Sequence, residues 1–155
     1  RGWHTAYIAL GSNMGDKKQY LDQAVDALQQ TPCCRVDAVS SFLVTEPYGF
    51  TEQDDFLNGC LRLHTLLSPR ELLDTLHRIE ADAGRERTLH WGPRTLDLDI
   101  IFYDDLIWED EDLCIPHVDM HRRDFVLKPL LELAPYKHHP CSHKTIRELY
   151  DELTQ

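Results

Sequence analysis

The stretch Trp91–Asp104, WGPRTLDLDIIFYD, contains the clearest structural signal in the chain. Two sets of residues alternate along it: Asp97, Asp99, Ile101 and Tyr103 in one set, and Leu96, Leu98, Ile100 and Phe102 in the other. This period of two predicts a β-strand, in which residues two apart point to the same face. We therefore expect the two carboxylates side by side on one face, with the leucines and aromatic residues facing the core.

The paired carboxylates also indicate a chemistry. Two acids held close together repel each other, and a bound divalent cation, which prefers hard oxygen ligands, removes that repulsion. Gly92 and Pro93 predict a stiff turn, which would bring Arg94 beside Asp97 and Asp99. Carboxylates for metal ions together with arginine for phosphate are typical of phosphoryl transfer. The stretch therefore predicts a phosphoryl-transfer site with Mg²⁺, for which Arg85 and Arg87 are further phosphate-binding candidates.

Other interpretations of these residues stay open at this point. An Asp-x-Asp pair also occurs at solvated strand edges, and each arginine alone also fits an exposed surface position. No G-x-x-x-x-G-K-[ST] motif is present, which excludes a P-loop. Residues 11–15, GSNMG, contain glycine at the wrong spacing and are typical of a tight turn.

Composition limits the class of protein. With 155 residues, 42% of them hydrophobic and 28% charged, we expect one globular domain over residues 1–155. The net charge of −11 argues against general nucleic-acid binding, and no apolar run approaches the ~20 residues of a membrane span. The five cysteines are odd in number and lack CxxC spacing, which favours reduced thiols in the cytoplasm. The beginning of the sequence has no signal-peptide pattern.

The order of predicted elements favours a known plan. A strand over residues 5–10 precedes a helix that begins at Asp16 and ends before Pro32, and strands follow over 35–44 and 56–64. Ser68-Pro69-Arg70-Glu71 is a capping box that begins a second helix. With the strand after Arg94 this gives β-α-β-β-α-β, an α+β fold of the ferredoxin-like type, with helices on one face of an antiparallel sheet. A hairpin within residues 107–115 and C-terminal helices complete the prediction.

Six blocks of sequence, in this order over nearly the whole chain, resemble one family: ALGSNMGD, SSFLVTEPYGF, DDFLNGCLRL, RIEADAGRER, WGPRTLDLDIIFYD and PHVDMHRRDFVLKPLLELAP. They are similar to the 6-hydroxymethyl-7,8-dihydropterin pyrophosphokinases of folate biosynthesis. The resemblance implies transfer of pyrophosphate from ATP to the hydroxymethyl oxygen of the pterin, with release of AMP and with two Mg²⁺ ions. We also expect a monomer whose partners are the pterin and ATP, without nucleic acid or membrane.

The resemblance also implies residue roles. The implied metal ligands are Asp97 and Asp99, which form the catalytic set together with Arg85 and Arg94. The implied nucleotide-binding residues are His77, Glu80, Arg85, Arg87, Arg94, Ile100, His117 and Arg123. The implied pterin-binding residues are Thr45, Pro47, Tyr48, Phe56, Asn58, Trp91 and Phe125. Among these, the two phenylalanines would sandwich the bicyclic ring, and Asn58 would read its donor–acceptor edge. The sequence differs from the family pattern at Phe56, where tyrosine is common, and at Asp112, where a basic residue can occur.

Two other functions remain as alternatives. A metal-dependent nuclease or phosphohydrolase would use the same two aspartates with water as the nucleophile, but it would need further acids and leave Asn58 unexplained. A non-catalytic ferredoxin-like binding module would leave the repulsion between Asp97 and Asp99 unexplained.

Overall fold

The computed structural model describes residues 2–46, 55–84 and 95–155, which form a mixed α+β structure. Its strands are β1 (His4–Ser12), β2 (Cys34–Val39), β3 (Leu43–Thr45), β4 (Phe56–Thr65), β5 (Asp97–Tyr103), β6 (Trp108–Glu109) and β7 (Cys114–Ile115). Its α-helices are α1 (Lys17–Gln30), α2 (Pro69–Ala83), α3 (Asp124–Leu133) and α4 (Ile146–Leu153), and a 3₁₀ turn spans Met120–Arg122. No helix in these three ranges is long and apolar enough to cross a bilayer.

The main sheet has the order β2-β4-β1-β5, and β3 also pairs with β4. All of these pairings are antiparallel. Strands β1, β2, β4 and β5, with α1 after β1 and α2 after β4, reproduce the predicted β-α-β-β-α-β connectivity. The α+β, ferredoxin-like prediction is confirmed.

The helix boundaries follow the predicted caps. The Asp16 side chain accepts a hydrogen bond from the Gln19 backbone N–H at the start of α1. Ser68 and Glu71 form the complete capping box of α2, with Pro69 in the first turn. These side chains satisfy backbone N–H groups that have no partner within the helix.

Residues 35–44, predicted as one strand, form two. Strand β2 ends at Val39 and β3 begins at Leu43, and both pair with β4. Between them, the Ser40 hydroxyl accepts a hydrogen bond from the Cys60 backbone N–H at 2.9 Å. A side chain thus replaces the backbone partner at this point, which interrupts the ladder between the two short strands.

The two helices of the β-α-β-β-α-β core, α1 and α2, cover one face of the sheet as predicted, and the C-terminal helices α3 and α4 cover the other. Ile8, Leu10, Leu61 and Leu63 pack with α1 and α2 in a first core. Tyr7 and Cys60, from the alternate positions of the same strands, pack with residues of α3 and α4 in a second core. The second core includes Val126, Leu127, Leu130, Ile146 and Leu149.

Strand β5 changes faces along its length. Its register with β1 shifts between Tyr7 and Ile8, which pair with Phe102 and Ile100 and leave Ile101 as an extra residue. Ile101 and Phe102 therefore belong to the second core, and Tyr103 belongs to the first. The strict alternation predicted for Phe102 and Tyr103 was wrong, because a β-bulge reverses the faces of the residues beyond it.

The predicted hairpin is present as β6 and β7. Arg70 at the start of α2 binds the turn between β6 and β7. Its Nη1 donates to Asp112 at 2.9 Å and its Nη2 donates to Asp110 at 2.7 Å. Asp112, the departure from the family pattern, therefore has a structural partner within the chain.

Candidate functional site

A cavity of about 200 Å³ opens on the α3 face of the sheet. It is lined by residues of β1, β3, β4, β5 and α3 and by the segments that precede α3 and follow β3. The candidate residues that line it are Thr45, Phe56, Asn58, Asp97, Asp99, His117, Arg123 and Phe125. The fold therefore brings together candidates from both the metal and the pterin sets.

Small residues of the central strand β1 form the floor of the cavity. Gly11 pairs with Asn58 of β4 on one side and with Asp97 of β5 on the other. Ala9, two residues away, pairs with Asp99. Residues two apart share a face, so the two carboxylates lie on one wall and the amide on the opposite wall. Because Gly11 and Ala9 have little or no side chain, the space between the amide and the carboxylates stays open.

Asn58 is a buried polar residue with a defined partner. Only 8% of its surface is exposed, and its Nδ2 donates to the Thr45 hydroxyl at 2.6 Å. Thr45 pairs with Phe56 in the β3–β4 ladder, so the hydroxyl, the amide and an aromatic ring lie at one end of the cavity. An amide and an aromatic ring suit a flat, hydrogen-bonding heterocycle.

His117 and Arg123 lie beside the carboxylates. The His117 backbone N–H donates to the Ile101 carbonyl at 3.0 Å, which holds this segment against the free edge of β5. The Asp119 backbone N–H donates to His117 Nδ1 at 3.2 Å, so Nε2 carries the hydrogen of the neutral ring. Burial lowers the pKa of His117, against the opposing effect of Asp99. The hydrogen bond at Nδ1 and the lowered pKa both favour the neutral ring, which presents an N–H donor at Nε2.

Arg123 is placed between an acid and an aromatic ring. Its Nη2 lies 3.5 Å from Asp119 Oδ2, and its guanidinium carbon lies 5.8 Å from the centre of the Phe125 ring. The side chains of Arg123 and Phe125 line the cavity. A cation on this wall is suited to bind an anionic ligand.

Three candidate residues lie away from the cavity wall. His77 is exposed on α2, and Ile100 is buried in the first core. Glu80, also on α2, accepts a hydrogen bond from the Leu98 backbone N–H at 2.7 Å. This contact lies next to both Asp97 and Asp99 along the chain, so Glu80 supports the strand that carries them.

The remaining candidates, Pro47, Tyr48, Arg85, Arg87, Trp91 and Arg94, lie outside the described residues. The cavity also contains residues that sequence reasoning did not select, among them Gly11, Glu46 and Val126. Gly11 was interpreted as part of a turn, whereas β1 continues through it to Ser12. The extension is not visible locally, because it depends on pairing with β4 and β5.

Asp97 and Asp99 fit a magnesium site in which water and substrate phosphates supply the remaining ligands. No cluster of three or more His, Cys, Asp or Glu side chains suited to a metal occurs in residues 2–46, 55–84 and 95–155. Mg²⁺ is commonly bound through one or two carboxylates, with its other positions filled by water and substrate phosphates. Asp97 and Asp99 on the wall of an open cavity offer that donor set.

Comparisons with known proteins identify the family of the chain. Residues 7–135 match the model of the 7,8-dihydro-6-hydroxymethylpterin-pyrophosphokinase family. The chain is 47% identical over 130 residues to the 2-amino-4-hydroxy-6-hydroxymethyldihydropteridine pyrophosphokinase of Haemophilus influenzae, covering 84% of this chain and 81% of that protein. It is 46% identical over 147 residues to the bifunctional protein FolKE of Lactococcus lactis, covering 94% of this chain.

The chain spans only 42% of that bifunctional relative, and 20% of the folic acid synthesis protein fol1 of Schizosaccharomyces pombe. Among solved structures, an HPPK-DHPS in complex with substrates superposes with a TM-score of 0.78 at 14% identity, covering 98% of this chain and 43% of that one. HPPK-DHPS A437G of Plasmodium falciparum superposes with a TM-score of 0.74, also at 14% identity, covering 97% and 45%. These two structures support the fold. From the family match and the close relatives, the chain belongs to the 7,8-dihydro-6-hydroxymethylpterin-pyrophosphokinase family.

Proposed function

We propose that this chain transfers pyrophosphate from ATP to the hydroxymethyl oxygen of 6-hydroxymethyl-7,8-dihydropterin and releases AMP. One observation carries the proposal: a single cavity joins a buried amide and aromatic rings to a pair of carboxylates. The first group of residues suits a flat heterocycle, and the second suits the metal-bound phosphates of a nucleotide.

The pterin end of the site is formed by Phe56, Asn58, Thr45 and Phe125. The Asn58 amide offers both donor and acceptor atoms, which matches the edge of a pterin. Because the amide is buried, a ligand that lacks the complementary edge leaves a polar group unsatisfied, which disfavours its binding. Pro47, Tyr48 and Trp91 are proposed to complete this end.

The phosphate end is formed by Asp97, Asp99, His117 and Arg123. Two Mg²⁺ ions bound by the aspartates would neutralise phosphate charge and orient the transferred group. His117 donates from Nε2, and Arg123 contributes a fixed positive charge. We assign further phosphate contacts to Arg85, Arg87 and Arg94, and nucleotide contacts near α2 to His77, Glu80 and Ile100.

In the proposed reaction, the hydroxymethyl oxygen forms a bond to the β-phosphorus of ATP. The bond between that phosphorus and the oxygen bridging to the α-phosphate breaks, and the hydroxyl proton of the acceptor is released to solvent. AMP departs with the bridging oxygen. The role of the protein is to place acceptor and donor in line within one cavity and to stabilise charge on the transferred group.

The test follows AMP formation from ATP and Mg²⁺ with and without the dihydropterin. We expect AMP to form only when the pterin is present, in equal amount to the pyrophosphorylated pterin. AMP formation that ignores the pterin would instead support a phosphohydrolase, and absence of turnover with Mg²⁺ present would support a binding module.

The proposal also covers the domain organisation, the oligomeric state and the cellular compartment. We propose that residues 1–155 act as one catalytic domain, that the domain is monomeric and that it works in the cytoplasm. All five cysteines are free thiols, which suits a reducing compartment. Gel filtration coupled to light scattering at several concentrations measures the oligomeric state.

A further inference from the structure

Gly11 occupies the point where the two halves of the cavity meet. On the central strand it pairs with Asn58 of β4 and with Asp97 of β5. A residue at this position lies between the amide wall and the carboxylate wall, and any side chain on it would project into the space between them.

The side of Gly11 that lacks a Cβ faces the Asn58 amide. A Cβ built on Gly11 would lie 2.9 Å from Asn58 Oδ1, which is closer than real Cβ atoms approach an oxygen. The other contacts of that Cβ, with Asn58 Cγ and the Leu57 carbonyl oxygen, are at 3.9 Å and are ordinary. The atom that a side chain would displace is therefore the end of one polar side chain.

The Asn58 amide is held from its other end as well. Its Nδ2 donates to the Thr45 hydroxyl at 2.6 Å, so the amide cannot turn away from Gly11 without losing that bond. Thr45 is itself fixed in the β3–β4 ladder opposite Phe56. The amide plane is thus set by two neighbours, a hydroxyl that binds Nδ2 and a glycine that leaves room for Oδ1.

We propose that Gly11 is a positioning residue for acceptor recognition: by having no side chain, it sets the direction in which the Asn58 amide presents Oδ1 and its second N–H to the ligand. This inference rests on the proposed function, because the ligand that the amide reads is the pterin. It selects a heterocycle whose edge carries a donor and an acceptor side by side in the plane of that amide.

The experiment is a double-mutant cycle on the full chain with Gly11→Ala, Asn58→Ala and the double variant. Gly2→Ala serves as the matched control, since nothing lies within 4 Å of a Cβ at that glycine. Binding of 6-hydroxymethyl-7,8-dihydropterin is measured by calorimetry. KM for ATP and kcat are measured by AMP release.

We expect Gly11→Ala to raise the dissociation constant for the pterin by about 10- to 100-fold, the loss typical of an unmade polar contact with a ligand. KM for ATP should change much less. In the Asn58→Ala background the same substitution should change pterin binding by less than about twofold, because the displaced atom is already absent. Independent, multiplying effects of the two substitutions would overturn the proposal.

The amide itself supplies a readout without substrate. In ¹⁵N-labelled protein, the Asn58 side-chain NH₂ signals should shift in Gly11→Ala and lose the signature of the Thr45 hydrogen bond. Unchanged signals would refute the positioning role. Shifted signals with unchanged pterin affinity would refute its link to the acceptor. A wild-type chain that does not bind the pterin would refute the proposed function, and the NH₂ signals would still decide whether Gly11 positions the amide.

Folding of the variants also tests whether a Cβ at Gly11 clashes with the Asn58 amide. If Gly11→Ala fails to fold but the double variant folds, the clash lies at the Asn58 amide, as proposed. If both fail to fold, a Cβ at Gly11 meets something other than that amide, and the proposal is wrong.

Discussion

Asp97 and Asp99 have the same chemistry and the same cavity but different surroundings. Asp97 is half-buried beside Gly11, whereas Asp99 is exposed beside Ala9. Their placement on one wall follows from the period of two in β5, before the bulge at Ile101 reverses the faces. The proposed metal function therefore depends on the part of the strand that remains regular.

Asp97→Asn and Asp99→Asn should each lower kcat by at least about 100-fold, because metal ions contribute several kcal/mol of charge stabilisation. Pterin binding should weaken much less than in Asn58→Ala, since the amide lies on the opposite wall. Steady-state kinetics with a Mg²⁺ titration, together with calorimetry, measures both effects.

Asp105→Asn is the control for charge removal. Asp105 lies in the turn after β5, pairs with Lys137 at 3.0 Å and does not line the cavity. We expect its kinetics to match the wild type. Near-normal turnover in either cavity aspartate variant would contradict the metal assignment.

At the level of elements, α2 supports the strand that carries the carboxylates. Glu80 in the last turn of α2 accepts the Leu98 backbone N–H at 2.7 Å, and Leu98 lies between Asp97 and Asp99. A free edge of β5 would leave this N–H without a strand partner, and the carboxylate supplies one. The helix and the edge strand are thus joined by a side chain rather than by the ladder.

Glu80→Ala should lower the free energy of unfolding by roughly 1–3 kcal/mol, because the Leu98 N–H loses its acceptor. Glu80→Gln keeps an acceptor oxygen and should retain most of the stability. Asp74→Ala, an exposed acid on the same helix, should change it by less than about 0.5 kcal/mol. Urea denaturation measures all three, and equal losses in the Ala and Gln variants would contradict the hydrogen-bond explanation.

The helix caps allow a second test at this scale. Ser68→Ala removes the side-chain acceptor of the α2 capping box and should cost about 1 kcal/mol of stability. Ser68→Asp restores an acceptor at the same position and should recover most of the loss. A thermal unfolding series compares them, and an unchanged midpoint in Ser68→Ala would argue that the cap contributes nothing.

At the scale of the whole molecule, the sheet separates two hydrophobic cores, and only the second core lies on the same face as the cavity. Leu28 of α1 lies in the first core and Leu127 of α3 in the second, and both are fully buried, at 0% exposure. Phe125 and Val126, the neighbours of Leu127 on α3, line the cavity. The second core therefore supports the cavity wall, and the first core supports the sheet from behind.

Leu28→Ala and Leu127→Ala should each cost about 2–5 kcal/mol of stability, the range for removing a buried leucine side chain. Only Leu127→Ala should also weaken pterin binding, because Leu127 belongs to the core against which Phe125 packs. Urea denaturation and calorimetry at a temperature where both variants are folded separate the two effects. Equal pterin affinity in the two variants would contradict the link between the second core and the site.

Much of this protein could be predicted from residues close together in the chain. The alternation around Asp97 and Asp99, the caps at Asp16 and Ser68, and the resulting β-α-β-β-α-β order all express local physics: strand period, helix period and terminal hydrogen bonds. The resemblance of the sequence blocks further implied pterin-binding roles for Phe56 and Asn58 and metal-ligand roles for Asp97 and Asp99, and all four residues line one cavity.

Only the tertiary structure decided the features that depend on residues far apart in the chain. The bulge at Ile101 arises from pairing between β5 and β1, and the second covered face arises from the docking of α3 and α4. The close approach of Gly11 to Asn58 exists because β1 and β4 are adjacent in the sheet. Sequence periodicity carries no information on which strands meet or at what register, and here those contacts determine how the amide and the carboxylates face one ligand.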